Sequence, residues 1–134
     1  MNPNVRKFKI EYAQELLRLA VADLQAAKIL LQGNARPEST LYHIEQVVEK
    51  SMKAVICHNR KPVPYTHDIG TLLIQLGLDL PPGGTALSDL TPFATIRRYE
   101  EGAAIIEPAE VALAIDLAEK VLRWAELKVV GLKS

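Results

Sequence analysis

The segment AQELLRLAVADLQAAKILL, residues 13–31, decides the fold class. Its apolar side chains recur at steps of four and three residues, which places them on one stripe of an α-helix: Ala13, Leu17, Ala20, Leu24, Ala27 and Leu31. Because neither Gly nor Pro interrupts the chain between Pro3 and Gly33, we expect one helix from about residue 5 to residue 32. Gly33 and Asn34 tolerate the left-handed backbone that ends helices, so they predict its C-terminus.

A second helix follows directly. Pro37 suits its first turn, where the missing N–H costs nothing, and its apolar face continues to about His58. The two prolines within residues 59–67 predict a loop there. Either Thr66 or Asp68 is then expected to cap a short third helix.

The C-terminal half predicts two further helices. Residues 86–99 are expected to form one that contains Pro92, either as a kink or in its first turn. Pro108 opens the last helix, which is predicted to run to about Val129. No segment alternates in the manner of a strand. The sequence therefore predicts one all-α domain over residues 1–134, an up-and-down bundle of four to five helices.

Composition excludes several classes of protein. The chain has 134 residues with 16 basic against 16 acidic side chains, a balance that argues against electrostatic coating of nucleic acid. Its single cysteine, Cys57, excludes an internal disulfide framework. No apolar run approaches the roughly 20 residues of a membrane span, so we expect a cytoplasmic protein that does not bind a membrane.

The second helix carries the most informative polar residues. Gln46, Glu49, Lys50 and Lys53 are spaced so that they share one helix face. Two interpretations stay open at this point. The four residues form a salt-bridged surface face, or they form a polar seam beside the core that orders the loop carrying Thr66-His67-Asp68.

This region resembles a known family, the HEPN domains. The run EQVVEKSMKA, residues 45–54, is similar to the family's Gln-x-x-Glu-Lys-x-x-Lys-Ala signature, and Thr66-His67-Asp68-Ile69 is similar to the Thr-His-Asp-Leu entry to its third helix. Upstream, residues 19–27 resemble its first helix. Arg98-Tyr99 corresponds to an Arg-Tyr pair, and residues 118–124 resemble its final helix.

The resemblance covers about residues 12–126 and implies a helical bundle that is usually a homodimer. Stand-alone HEPN proteins are often paired with a minimal nucleotidyltransferase in a toxin–antitoxin module. Some are metal-independent ribonucleases that use an Arg followed, after four to six residues, by a His. In those proteins the His is a general acid or base, and the Arg stabilises charge on the phosphate.

Two segments of this chain match that spacing. Arg36 precedes His43, and Arg60 precedes His67, each with six residues between. Nucleases of the family place the pair in later helices, however, and no histidine follows Arg97-Arg98-Tyr99. The two matches are therefore weak candidates for a catalytic pair.

The leading hypothesis from sequence is a non-catalytic HEPN subunit that binds a nucleotidyltransferase partner and, with it, a nucleotide. Residues expected to contact phosphate are Lys50, Lys53, Arg97 and Arg98. Residues expected to shape that site are Gln46, Glu49, His67 and Asp68. The alternatives are a metal-independent endoribonuclease toxin acting on RNA and a structural dimeric bundle without ligand. No metal site and no cofactor are expected, because no two histidines share a helix face at metal-ligand spacing.

Overall fold

The computed structural model describes residues 10–90 and 107–131. Within these ranges the chain is an all-α helical bundle without strands, which confirms the predicted fold class. The elements are α1 (Ile10–Gln32), α2 (Pro37–His58), α3 (Ile69–Leu76), a 3-10 helix (Gly84–Leu90) and α4 (Pro108–Val129).

The boundaries of α2 and α4 confirm the prediction, since both helices begin at a proline in the first turn. Helix α1 is described from Ile10 to its predicted end, and residues 1–9 lie outside the described residues.

The predicted fourth helix over residues 86–99 is wrong in the part that is described, because residues 84–90 form a 3-10 helix. Gly83 and Gly84 enter this segment with φ angles of 91° and 50°, which a helix cannot continue through. The Ser88 hydroxyl then donates to the Thr85 carbonyl three residues back, at 2.8 Å. Pro92 and the rest of the predicted helix lie outside the described residues.

Helices α1 and α2 end in the same way, with a non-glycine residue in the left-handed region. Asn34 has φ 55°, and the following N–H, that of Ala35, donates to the Leu30 carbonyl at 3.0 Å. Arg60 has φ 61°, and the N–H of Lys61 donates to Ile56 at 3.1 Å. Both are Schellman motifs, which satisfy carbonyls that the helix leaves unpaired.

Helix α2 is the central element of the bundle. It packs against α1, α4, α3 and the 3-10 helix, and α1 also contacts α4. Its apolar side chains are fully buried at Ile44, Val47, Val48, Met52, Val55 and Ile56. Because most of its circumference is covered, the part of α2 that still reaches the surface is the part that presents polar groups. None of the helices in the two described ranges combines the length and the apolar character needed to cross a membrane.

Candidate functional site

Polar side chains follow one face of α2 and its N-terminal flank. They recur at steps of three and four residues, so they form one stripe about 25 Å long. We call this the polar stripe: Arg36, Ser39, His43, Gln46, Lys50 and Lys53. Gln46 is buried, and the side chains of Lys50 and Lys53 are only 22% and 14% exposed. The middle of the stripe is therefore sunken between its neighbours rather than being a solvated helix face.

The first group of charges on the stripe joins α2 to α1. The Asp23 carboxylate accepts from the Lys50 ammonium at 2.5 Å through Oδ2, and its Oδ1 lies 2.9 Å from His43 Nδ1. We call these three residues the His43 cluster. Because an ionised carboxylate can only accept, the hydrogen of this bond belongs to His43 Nδ1. The other ring nitrogen, Nε2, is then left with a free lone pair in the neutral imidazole.

His43 also lines an open depression at the N-terminal end of α2. The depression has a volume of about 430 Å³ and is formed by Arg36, Glu38, Ser39, Tyr42 and His43. The Arg36 guanidinium is 86% exposed and makes a 3.3 Å contact with Glu38. Such an exposed pair contributes little stability and exchanges readily with solvent or a ligand. The ring of Tyr42 stands edge-on to His43, with ring centroids 5.2 Å apart.

The second group of charges joins α2 to the loop before α3. The Glu49 carboxylate lies 2.8 Å from His67 Nδ1 through Oε1 and accepts from the Lys53 ammonium at 3.2 Å through Oε2. We call these three residues the His67 cluster. The Glu49 side chain is 6% exposed, whereas that of His67 is 76% exposed. Glu49 is therefore buried beside the core and contacts the loop, as the interpretation of a polar seam predicts, and it is not part of a simple surface face.

The loop residues beside His67 start α3. The Asp68 side chain caps the helix, since its Oδ1 accepts from the Gly70 N–H at 3.3 Å and its Oδ2 from the Thr71 hydroxyl at 2.8 Å. The Thr66 hydroxyl accepts from the Asp68 N–H at 3.0 Å. Of the two predicted caps, Asp68 is the correct one. The role of these residues in the described chain is local ordering of the α3 start.

Of the remaining predicted site residues, those that the structure describes are not brought together into one site. Arg60 ends α2 in the left-handed region, and no hydrogen bond or ion pair in the described part of the chain joins it to His67. Lys50 and Lys53, expected to contact phosphate, each contact a carboxylate in this structure. Arg97 and Arg98 lie outside the described residues.

Sequence reasoning missed the contacts that Asp23 makes with His43 and Lys50. The residue was noted only as part of the first-helix pattern of the resemblance, although it is the one acidic residue between Glu15 and Glu38. A lone carboxylate within an apolar helix that packs against another helix needs a cationic partner, and that partner is expected across the interface. This signal was available from the sequence, but it could not have indicated which residue of α2 lies opposite.

The described residues support neither a cysteine nucleophile nor a metal site. Burial raises the pKa of the Cys57 thiol above its ordinary value, although a hydrogen bond with the Ala13 backbone opposes the shift. A thiol of raised pKa is a poor nucleophile because the thiolate is the reactive form. Among the described residues, no group of three or more His, Cys, Asp or Glu side chains is arranged to hold a metal ion.

The comparison with known families matches the HEPN domain to residues 13–128 of this chain. The chain belongs to the HEPN family. A 52-residue stretch of this HEPN chain is also 46% identical to a protein of Methanocaldococcus jannaschii named "Putative toxin MJ1304". That match covers 39% of the chain and 34% of the relative, so it spans about a third of the relative's length. No solved structure matches the chain significantly.

The signature residues of this HEPN chain divide between the two clusters. Lys50 pairs with Asp23 from α1, and Lys53 pairs with Glu49 within α2. Gln46 lies between them and is buried. The similarity in sequence thus corresponds to a set of partly buried charge pairs, of which only His43, through its contact with Asp23, also lines the open depression.

Proposed function

We propose that this HEPN chain is a toxin-type protein that cleaves RNA without a metal ion, at the depression formed by Arg36, Tyr42 and His43. The observation that carries the proposal is that an arginine and a histidine line the same open depression while the histidine is held by a carboxylate behind it. This combination supplies a base with a defined orientation and a mobile cation next to it.

The chemistry follows from these groups. His43 Nε2 takes the proton of a ribose 2′-hydroxyl, and the 2′-oxygen attacks the adjacent phosphorus. The bond from phosphorus to the 5′-oxygen breaks, and that oxygen receives a proton from the imidazolium. The products are a 2′,3′-cyclic phosphate and a 5′-hydroxyl. The Arg36 guanidinium neutralises the charge that develops on the phosphoryl oxygens.

Membership of the HEPN family and the name of the archaeal relative support a toxin-like role. A toxin–antitoxin-like protein also has a partner that restrains it. The depression is open on the described surface, so an RNA chain or a partner protein has access to His43.

The test is cleavage of RNA by the purified protein in EDTA. We expect His43→Ala to lower the rate at least 100-fold, as loss of a general acid or base does. Arg36→Ala is expected to lower it by roughly 10- to 100-fold through lost charge stabilisation. His58→Ala is the matched control, because His58 is an exposed histidine at the opposite end of the same helix. A His43→Ala protein that cleaves at the unmodified rate contradicts the proposal.

The second candidate is a non-catalytic HEPN subunit that binds a nucleotidyltransferase partner and a nucleotide. The absence of any histidine after His67 favours it, because nucleases that resemble this chain carry theirs in later helices. It predicts no cleavage in EDTA, a stable complex with the transferase, and weaker nucleotide binding when Lys53 and Arg98 are both changed to Ala.

A homodimer fits either candidate. Ile29 on α1 and Leu113 and Leu127 on α4 are each more than half exposed, which provides apolar surface for a second copy. Light scattering of the purified chain measures this directly, and a monomer at all concentrations contradicts it.

A further inference from the structure

The His43 cluster contains more than the proposed reaction needs. A base and a cation both line the depression, whereas Asp23, which contacts His43, and Lys50, which contacts Asp23, do not. The Asp23 side chain is 13% exposed and that of Lys50 is 22% exposed, so neither is a solvated surface group. Their role therefore has to be sought in what they do to His43.

The two oxygens of Asp23 have separate partners. Oδ2 accepts from Lys50 Nζ at 2.5 Å, and Oδ1 faces His43 Nδ1 at 2.9 Å. Since Asp23 comes from α1 and the other two residues from α2, the carboxylate is held between two turns of the neighbouring helix. Rotation of the carboxylate would disturb both contacts together, because each of its two oxygens has its own partner.

We propose that Asp23 and Lys50 form a positioning pair that fixes the His43 imidazole with its hydrogen on Nδ1 and its lone pair on Nε2, facing the depression. The inference rests on the proposed RNA cleavage and assigns Lys50 a role other than phosphate binding. Lys50 is a positioning residue that does not contact the substrate. It fixes Asp23, and Asp23 in turn fixes the imidazole that acts as the base. A general base works only in the tautomer whose free nitrogen faces the proton it removes.

The chain offers a matched control for Lys50. Lys53 is on the same stripe, carries the same charge, is similarly buried and also pairs with one carboxylate, but that carboxylate is Glu49 and its histidine is His67. If both lysines act by attracting RNA, replacing either one raises KM to the same extent. If Lys50 acts through His43, only its removal slows the chemical step.

The first experiment measures kcat and KM for a short RNA in EDTA. We expect Lys50→Met to lower kcat at least tenfold with KM changed less than about twofold, because the base loses its fixed orientation while the groups that would contact RNA are unchanged. Lys50→Arg restores most of the rate, because a guanidinium also donates to Asp23. Lys53→Met leaves kcat within about twofold. Equal increases in KM for both Met variants, with kcat unchanged, overturn the inference and make Lys50 a phosphate contact.

The second experiment does not depend on cleavage. Nitrogen-15 chemical shifts of the imidazole report which ring nitrogen of His43 carries the hydrogen in the neutral form. We expect Nδ1–H in the unmodified protein and a mixture of tautomers in Asp23→Asn, whose amide can donate as well as accept. A tautomer that is the same in both proteins overturns the inference. If the unmodified protein cleaves no RNA but shows the Nδ1–H tautomer and its loss in Asp23→Asn, the proposed function fails while the positioning pair is upheld.

Discussion

The His43 cluster and the His67 cluster contain the same three kinds of group in different arrangements. Each has one carboxylate between an imidazole Nδ1 and a lysine ammonium. In the His43 cluster the histidine belongs to the central helix, and its side chain is 30% exposed beside a depression. In the His67 cluster the carboxylate belongs to the central helix and the histidine to a loop, where it is 76% exposed. Under the proposed function, the His43 cluster presents a base to a ligand, whereas the His67 cluster joins a loop to the central helix.

The largest effect on stability is expected at the carboxylate of the His67 cluster. Glu49→Ala removes a side chain that is 6% exposed and leaves the Lys53 ammonium, 14% exposed, without its charge partner. Removing one member of a buried pair destabilises strongly, so we expect a loss of about 3 kcal/mol in the free energy of unfolding. Urea denaturation measures the loss. Asp23 belongs to the more exposed cluster, so Asp23→Ala should lower the free energy of unfolding by less than Glu49→Ala does. A larger loss for Asp23→Ala would contradict this difference between the clusters.

The two histidines separate stability from activity. We expect His67→Ala to lower the free energy of unfolding by about 1 kcal/mol, because it removes one hydrogen bond to a charged group, while RNA cleavage continues. His43→Ala is expected to lower the cleavage rate at least 100-fold and to cost at least as much stability as His67→Ala, because the His43 side chain is less exposed. Thermal melting and the EDTA assay on the same preparations give both values. Loss of cleavage in His67→Ala would mean that the two clusters belong to one site.

A smaller effect is expected at Arg60, which the sequence associates with His67 but the structure does not. Its φ of 61° is unfavourable for a residue with a side chain. Arg60→Gly removes this strain but adds freedom to the unfolded chain, so we expect a net gain of roughly 0.5 kcal/mol. Cleavage should be unchanged. A variant that melts at a lower temperature would show that the Arg60 side chain makes contacts that outweigh the strain.

The smallest effect concerns neither cluster and appears at alkaline pH. Burial raises the pKa of the Cys57 thiol above its ordinary value of 9.0, so the thiol ionises at lower pH in the unfolded chain than in the folded one. Its contribution to stability is therefore complete below pH 9.0 and is lost as the pH rises toward the folded pKa. Burial likewise raises the pKa of the Tyr12 hydroxyl from 10.0.

We expect Cys57→Ala to make the decline of stability above pH 9.0 shallower, by at most about 1.4 kcal/mol per pH unit. Urea titrations at pH 7 to 10 measure the slope in both proteins. An identical slope in Cys57→Ala would assign the whole alkaline decline to other groups.

The helices were largely predictable because their signals are local. Pro37 and the prolines after His58 bound α2, and Pro108 begins α4. The 3-10 helix was not predictable from apolar residues alone, since paired glycines and a serine that bonds back to the chain decide it. The glycines and the serine determine the backbone conformation over only three or four residues. A hydrophobic pattern of period 3.6 carries little information over so short a segment.

The candidate site was less predictable because its contacts are distant in sequence. Asp23 is 20 residues from His43, and Glu49 is 18 residues from His67. Spacing correctly placed Glu49 and Lys53 one turn apart on α2, but it did not indicate that Lys50 contacts Asp23 of α1. Which neighbour neutralises a lysine depends on how the helices pack, and this information is not contained in one helix's periodicity.

The partly buried ion pair of Asp23 and Lys50 has opposite consequences for stability and for the proposed orientation of the His43 imidazole. Replacing a buried pair of charges by two well-packed apolar side chains is often neutral or stabilising, because the cost of removing both ions from water disappears. A double replacement here would relieve that cost and leave the His43 imidazole without its carboxylate. Directed evolution for heat resistance alone would therefore tend to discard these two residues early, whereas selection that also demands an oriented imidazole would retain them.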